Sequence, residues 1–223
     1  RGGLTVTISL RSPAMRLNLV DCHRTLFYER LNDYDLFIYS EDDIRVTPKT
    51  VASYLRHTSR IRSLVGPDRY SDYNVGIIRY EYNYPDDVVI DDKTRGAIAN
   101  VTRVYWEHAA RPLVPKAVDS IVHAKGTKHG EFEGRYVTMG NHHQGMFLAT
   151  RDLLKAWRDR PGCEFDRIRQ RPGLKNKPSQ PSEGTQRVWM SSQMLHGSKH
   201  CAVVQLLPLD DFGSMNVMHL PNK

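Results

Sequence analysis

Tyr34-Asp35-Leu36-Phe37-Ile38-Tyr39-Ser40 is a short apolar run that leads directly into three consecutive carboxylates, Glu41-Asp42-Asp43. A chain with this passage ends a buried strand where several oxygen ligands reach one point at the edge of a sheet. Adjacent carboxylates repel each other unless a cation or basic neighbours offset the charge. Hard cations such as Mg²⁺ and Mn²⁺ take such ligands and bridge them to phosphate oxygens. The preceding residues suggest how the run is placed. Leu4-Thr5-Val6-Thr7-Ile8-Ser9-Leu10 is rich in β-branched residues and reads as a strand. Leu19, Val20, Phe27 and Leu31 recur at roughly helical spacing across 17–31, and Asn32-Asp33 ends that helix. This order is a β–α–β unit, which calls for parallel strands and a crossover helix. In open α/β sheets ligands gather outside the carboxyl ends of the strands, where the three acids fall.

Further along, Thr47-Pro48 marks a helix start that runs to about Leu64, and Gly66-Pro67 stops it. Strands are expected over Val75–Tyr82, Val88–Ile90, Thr102–Trp106, Tyr136–Met139, Gly145–Ala149 and Ala202–Leu207. Helices are expected over Thr150–Arg158, with Thr150 as its cap and Asp152 in its first turn, and over Gln186–Leu195. Prolines and charges fill residues 160–182, which read as a long mobile loop. The expected architecture is a single α/β domain over 1–223, a mixed sheet flanked by helices. Residues 1–66 would form its nucleotide- and metal-binding part and 67–223 its acceptor-binding part.

The net charge of +7 favours anionic partners such as nucleotide-sugar diphosphates, acidic glycans, nucleic acid or a membrane surface. The positive charge is scattered, and no run of five basic residues occurs. Arg158–Lys177, the densest stretch, reads as a solvated loop. No finger spacing or aromatic RNA-binding strand is present, so nucleic acid is not an expected partner. No apolar run is long enough to span a bilayer. Cys22, Cys163 and Cys201 fit either one disulfide plus a free thiol in an oxidising compartment, or three reduced thiols. Asn100-Val101-Thr102 is a glycosylation triplet that points weakly to a lumenal setting. The chain opens on Arg1-Gly2-Gly3 without Met and reads as a piece of a longer polypeptide, any membrane anchor lying outside it.

Asp35-Leu36-Phe37-Ile38-Tyr39-Ser40-Glu41-Asp42-Asp43-Ile44 resembles the D-x-D strand end of GT-A glycosyltransferases, in an E-D-D spelling. The resemblance implies a metal-dependent glycosyltransferase. It would move a sugar from a nucleotide-diphosphate donor to a hydroxyl of a glycan or glycoprotein, with Mn²⁺ (or Mg²⁺) as cofactor, in the Golgi or ER lumen. It implies Asp43 as the direct metal ligand, with Glu41 and Asp42 near the ribose or a bound water. His219, in His219-Leu220, resembles the late His that some of these enzymes add to the same metal. The helix carrying His23-Arg24 and Phe27 also matches the layout. The match covers about ten residues in detail and most of the chain only in the order of elements. One departure stands out: the family places two β–α units before its acidic motif, and only about 40 residues precede it here. The units that hold the nucleotide base are therefore expected to be missing, and the donor is not legible.

Two further groups bear on an acceptor. His142 and His143, adjacent in the turn Gly140–Gly145, point different ways on an extended chain and do not suit a joint metal site. With Asn141 and Gln144 they suit hydrogen bonding to a polyhydroxylated acceptor. An inverting transferase also needs a carboxylate to take the acceptor's proton. Glu183 resembles, in position, the acid that GT-A enzymes often carry before a late helix, and could equally stabilise that helix N-terminus. Glu81 is the competing candidate and could instead pair with Arg79. Tyr80, Tyr82, Tyr84, Trp106 and Trp189 read mostly as packing, with room for one or two to stack on a sugar ring. Two other function classes share the acidic turn. One is a two-ion phosphoryl hydrolase or nucleotidyltransferase drawing on Asp86-Asp87 and Asp91-Asp92; the other is a catalytically silent carbohydrate-binding domain.

Overall fold

A computed structural model describes residues 3–13, 19, 21–83, 102–106, 136–138, 145–163, 165–166, 195 and 201–220, with only the backbone of 81–83, 102–106 and 137–138. The fold is mixed α/β. Helix α1 (Cys22–Glu29) is followed by strands β1 (Leu36–Ser40) and β2 (Ile44–Arg45), then by the long helix α2 (Pro48–Val65). Strands β3 (Tyr73–Val75), β4 (Ile78–Asn83), β5 (Thr102–Trp106), β6 (Tyr136–Thr138) and β7 (Met146–Thr150) come next. Helix α3 (Arg151–Asp159), β8 (Val204–Pro208) and β9 (Asn216–His219) complete the order. Among the described residues the strands form three small sheets, ordered β1-β7, β2-β9-β4-β5 and β3-β8-β6, and only the β3–β8 and β4–β9 pairs are parallel.

Helix α2 forms for reasons visible in its sequence. The Thr47 hydroxyl accepts the Thr50 N–H at 3.2 Å, Pro48 fits the first turn, and Gly66 ends the helix at φ +82°. Its buried residues Thr50, Tyr54, His57, Ile61 and Val65 fall three or four apart, one stripe of a 3.6-residue period. Tyr54 donates its hydroxyl to Asn74 Oδ1 at 3.1 Å, and Asn74 Nδ2 donates to the Leu148 carbonyl at 3.2 Å. That relay of buried polar groups ties α2 to β3 and β7. Helix α3 starts as expected, the Thr150 hydroxyl accepting the Leu153 N–H at 3.4 Å, and buries Leu153, Leu154 and Trp157.

Two hydrophobic clusters result. One gathers Ile44, Tyr54, Ile61, Tyr73, Ile77, Leu148, Leu206 and Val217 around α2. The other gathers Phe27, Phe37, Phe147, Leu154, Trp157 and Phe165 between α1, α3 and the β1–β7 pair. Buried on every side, β7 reads Met-Phe-Leu-Ala, without polar alternation. The second cluster also holds the Cys163–Cys201 disulfide, leaving Cys22 as the free thiol. No helix among the described residues is long and apolar enough to cross a membrane.

The structure corrects the expected β–α–β unit. Leu4, Val6, Ile8 and Leu10 are exposed, Leu10 at 91%, and their segment joins no strand among the described residues. Strand β1 instead pairs antiparallel with β7, Leu36 opposite Thr150 and Ser40 opposite Met146. Alternation makes a strand only where a sheet covers its apolar side, and that is decided by tertiary context. The expected strand Val75–Tyr82 is divided, because the chain changes neighbours there: Gly76 N–H bonds Leu206 O at 2.7 Å, and Ile78 N–H bonds Met215 O at 3.0 Å. Strand β9 was not expected at all. Val88–Ile90 and nearly all of the expected helix Gln186–Leu195 lie outside the described residues.

Candidate metal site at the end of strand β1

The acidic turn is fixed at both ends by backbone hydrogen bonds. Where β1 ends, the Glu41 N–H donates to the Gly145 carbonyl at 2.8 Å. Ile44 N–H closes the turn onto Glu41 O at 3.3 Å. The chain then enters β2, which pairs antiparallel with β9, placing Ile44 opposite His219 and Arg45 opposite Met218. Leu220 N–H donates to Asp43 O at 2.7 Å and extends that pairing by one step. Asp43, one residue before Ile44, therefore sits diagonally across from His219, although the two lie far apart in sequence.

Their side chains meet. His219 Nε2 lies 3.1 Å from Asp43 Oδ2, with the imidazole 15% and the carboxylate 28% exposed. An ionised carboxylate only accepts, so Nε2–H is the donor in this pairing. The other oxygen, Asp43 Oδ1, is shielded from solvent and has no hydrogen-bond partner among the described residues. A shielded, unpaired carboxylate oxygen is costly to leave unmatched.

Glu41 is half-buried beside this pair. Burial raises its pKa above the ordinary carboxylate value, the charge of Asp43 adds to the rise, and Arg79 and His219 oppose it. Arg79 stands on β4 opposite Val217 of β9, two residues before His219. Asp42, by contrast, is exposed, so the turn presents two carboxylates to one side and sends the third outward. Tyr39 lies on β1, two residues before Glu41, and feels the same charges. Its hydroxyl is held protonated by burial first, then by the charges of Glu41, Asp21 and Asp43. The His23 ring stacks on it, centroids 4.2 Å apart.

A second network holds the β8–β9 connection that carries His219 into place. Asp211 accepts hydrogen bonds from Ser214 Oγ at 2.5 Å, from Arg56 and from His57 Nε2 at 3.3 Å. Burial pushes the Asp211 pKa up, but hydrogen bonds from Ser214 and Ser53, the Arg56 charge and His57 more than reverse this and hold it at about 2. With Nε2–H committed to Asp211, His57 Nδ1 accepts from the Tyr136 hydroxyl at 3.0 Å.

A carboxylate and an imidazole are two candidate protein donors, and Glu41 stands beside them without completing a three-donor group. Mg²⁺-like ions are commonly held by one or two carboxylates, with phosphate oxygens and water filling the remaining positions. No group of three or more His, Cys, Asp or Glu positioned to hold a metal occurs among the described residues. Asp43 and His219 alone are fewer donors than a cation caged entirely by protein needs.

Of the other candidates, Glu81 lies on β4 opposite Val104, its side chain outside the described residues. Glu183, Asn141, His142 and Gln144 lie outside them altogether, as do Asp86, Asp87, Asp91 and Asp92. Sequence reasoning missed Gly145, whose φ of +68° hints at a special role, and Arg79 as a neighbour of Glu41. No protein-family profile, curated protein or solved structure matches the chain.

Proposed function

We propose that this chain is a metal-dependent glycosyltransferase of GT-A type, moving a sugar from a nucleotide-diphosphate donor to a hydroxyl of a glycan or glycoprotein. The observation that carries the reading is the meeting of Asp43 and His219 beside a shielded, unmatched Asp43 oxygen. Asp43 and His219 are the residues that would hold Mn²⁺ or Mg²⁺, and Glu41 would accept from a ribose hydroxyl or a bound water. A divalent ion there supplies charge to offset the departing diphosphate. The chain itself contributes a turn tied at both ends by backbone hydrogen bonds, which brings Asp43 and His219 together. A cation would take the place of the Nε2–H proton, the imidazole changing tautomer to offer its lone pair. Glu183 and Glu81 remain the candidate bases for an inverting reaction.

A Golgi or ER setting is supported by the Cys163–Cys201 disulfide, since such bonds persist in oxidising compartments. The competing reading, a silent carbohydrate-binding domain, draws on the same hydrogen bond, because Asp43 Oδ2 and His219 Nε2 already satisfy one another. Donor turnover separates the two. The protein is incubated with a panel of uridine- and guanosine-diphosphate sugars, with Mn²⁺ or after chelation, and release of nucleoside diphosphate is followed. Metal-dependent release from at least one donor is expected. Release from none, or release that ignores chelation, would count against sugar transfer.

A further inference from the structure

We infer that Gly145 is a positioning residue for the acidic turn: its lack of a side chain forms the slot that holds the Glu41 carboxylate beside Asp43 and His219. The inference rests on the metal–diphosphate reading for its consequence, but its geometry stands alone. Gly145 sits just before β7, buried, at φ +68°. A Cβ built there would come 2.9 Å from Glu41 Oε2, 3.3 Å from Glu41 Cδ and 3.3 Å from Ile44 Cδ1. Carbon and carboxylate oxygen do not approach to 2.9 Å without one of them moving, and the mobile partner is the end of the Glu41 side chain. The Gly145 carbonyl meanwhile holds the Glu41 N–H at 2.8 Å, so the backbone is pinned while the side chain is free to be displaced. A side chain at 145 therefore meets the Glu41 carboxylate first, the end of a flexible side chain that can turn away.

Other glycines separate this role from ordinary backbone strain. Gly162 and Gly66 share the positive φ, at +81° and +82°, and a Cβ at either meets nothing within 4 Å. Positive φ disfavours an L residue at all three positions. Only Gly145 adds a displaced carboxylate. Its loss should thus resemble Gly162→Ala in stability and differ from it in ligand binding.

The test uses the whole chain and two readouts. The first needs no ligand: the Glu41 side-chain carboxyl ¹³C resonance, assigned by its loss in Glu41→Ala. It should move in Gly145→Ala and stay in place in Gly162→Ala. The second is calorimetric binding of uridine diphosphate in Mn²⁺. Gly145→Ala should weaken it about tenfold, the scale of losing a supporting group at a metal site, while Gly162→Ala leaves it unchanged. In a Glu41→Ala background, Gly145→Ala should add no further loss. An unmoved resonance overturns the inference, as does an equal loss of binding whether or not Glu41 is present. A resonance that moves in a protein that binds no nucleotide upholds the slot and counts against the transferase reading instead.

Discussion

His219 Nε2 and Asp43 Oδ2, 176 residues apart in the chain, lie 3.1 Å from each other. Strand pairing brings this about: β9 runs antiparallel to β2, so the last residue of β9 faces the first residue after the acidic turn. The contact therefore costs the fold little beyond what the sheet already specifies. It also separates two roles that mutation can tell apart.

His219→Ala and Asp43→Asn should each lower stability by only about 1 kcal/mol, the worth of a partly exposed hydrogen-bonded pair. The same changes should weaken Mn²⁺-dependent nucleotide binding by tenfold or more. Urea unfolding and titration calorimetry on the same preparations check this. Comparable losses in both assays would mark the pair as a structural clasp.

Glu41→Gln should stabilise the metal-free protein at neutral pH. The folded carboxyl has a raised pKa, chiefly from burial and then from Asp43, so its ionised form opposes folding once pH exceeds the ordinary carboxylate range. The amide removes that charge and keeps the volume. Thermal melts should show the gain at pH 7 and its shrinkage as pH falls through the raised folded pKa into the ordinary carboxylate range, where Glu41 is already neutral in the folded protein.

His57 should impose a loss of stability in mild acid. Burial lowers its pKa below 6.5, the largest influence, and the hydrogen bond to Asp211 only partly restores it. A histidine with a lowered folded pKa contributes stability above its unfolded pKa and loses it as pH falls through 6.5 toward the folded value. Urea midpoints measured from pH 8 to 5 should fall over the lower half of that range. In His57→Gln the fall should be absent. Asp211, at about 2, titrates outside the window.

Removing the Cys163–Cys201 bridge should cost about 4 kcal/mol, the loop-closure entropy for a separation of 38 residues. Both sulfurs are buried against Trp157 and Phe165, so the bridge should also resist reductant until the protein unfolds. Denaturant titration of Cys163→Ser/Cys201→Ser checks the first point, and thiol labelling under native conditions the second.

What the sequence revealed follows local rules. Thr47 and Thr150 announce helix starts because a capping hydroxyl is a local device, and Gly66 announces an end for the same reason. The acidic turn was legible because the apolar run Leu36–Tyr39 stops just before it. The failures were non-local. Leu4–Leu10 has a strand's alternation but joins no sheet among the described residues, and β1 takes β7 as its antiparallel partner. Asn216–His219 has too few residues to signal a strand alone, and becomes one because β2 and β4 flank it. At the site, Asp43 and His219 were nominated through the resemblance of the acidic strand end and the late His to GT-A enzymes. That Asp42 turns outward, and that Gly145 leaves room for Glu41, depends on backbone geometry that composition does not carry.

The most direct measurement is calorimetric titration of the protein with uridine or guanosine diphosphate in Mn²⁺, repeated after chelation and with Asp43→Asn. The expected result is heat of binding that needs the metal and is lost with the carboxylate. Binding of neither nucleotide, or binding unchanged by chelation and by Asp43→Asn, would contradict a cation held between Asp43, His219 and a diphosphate.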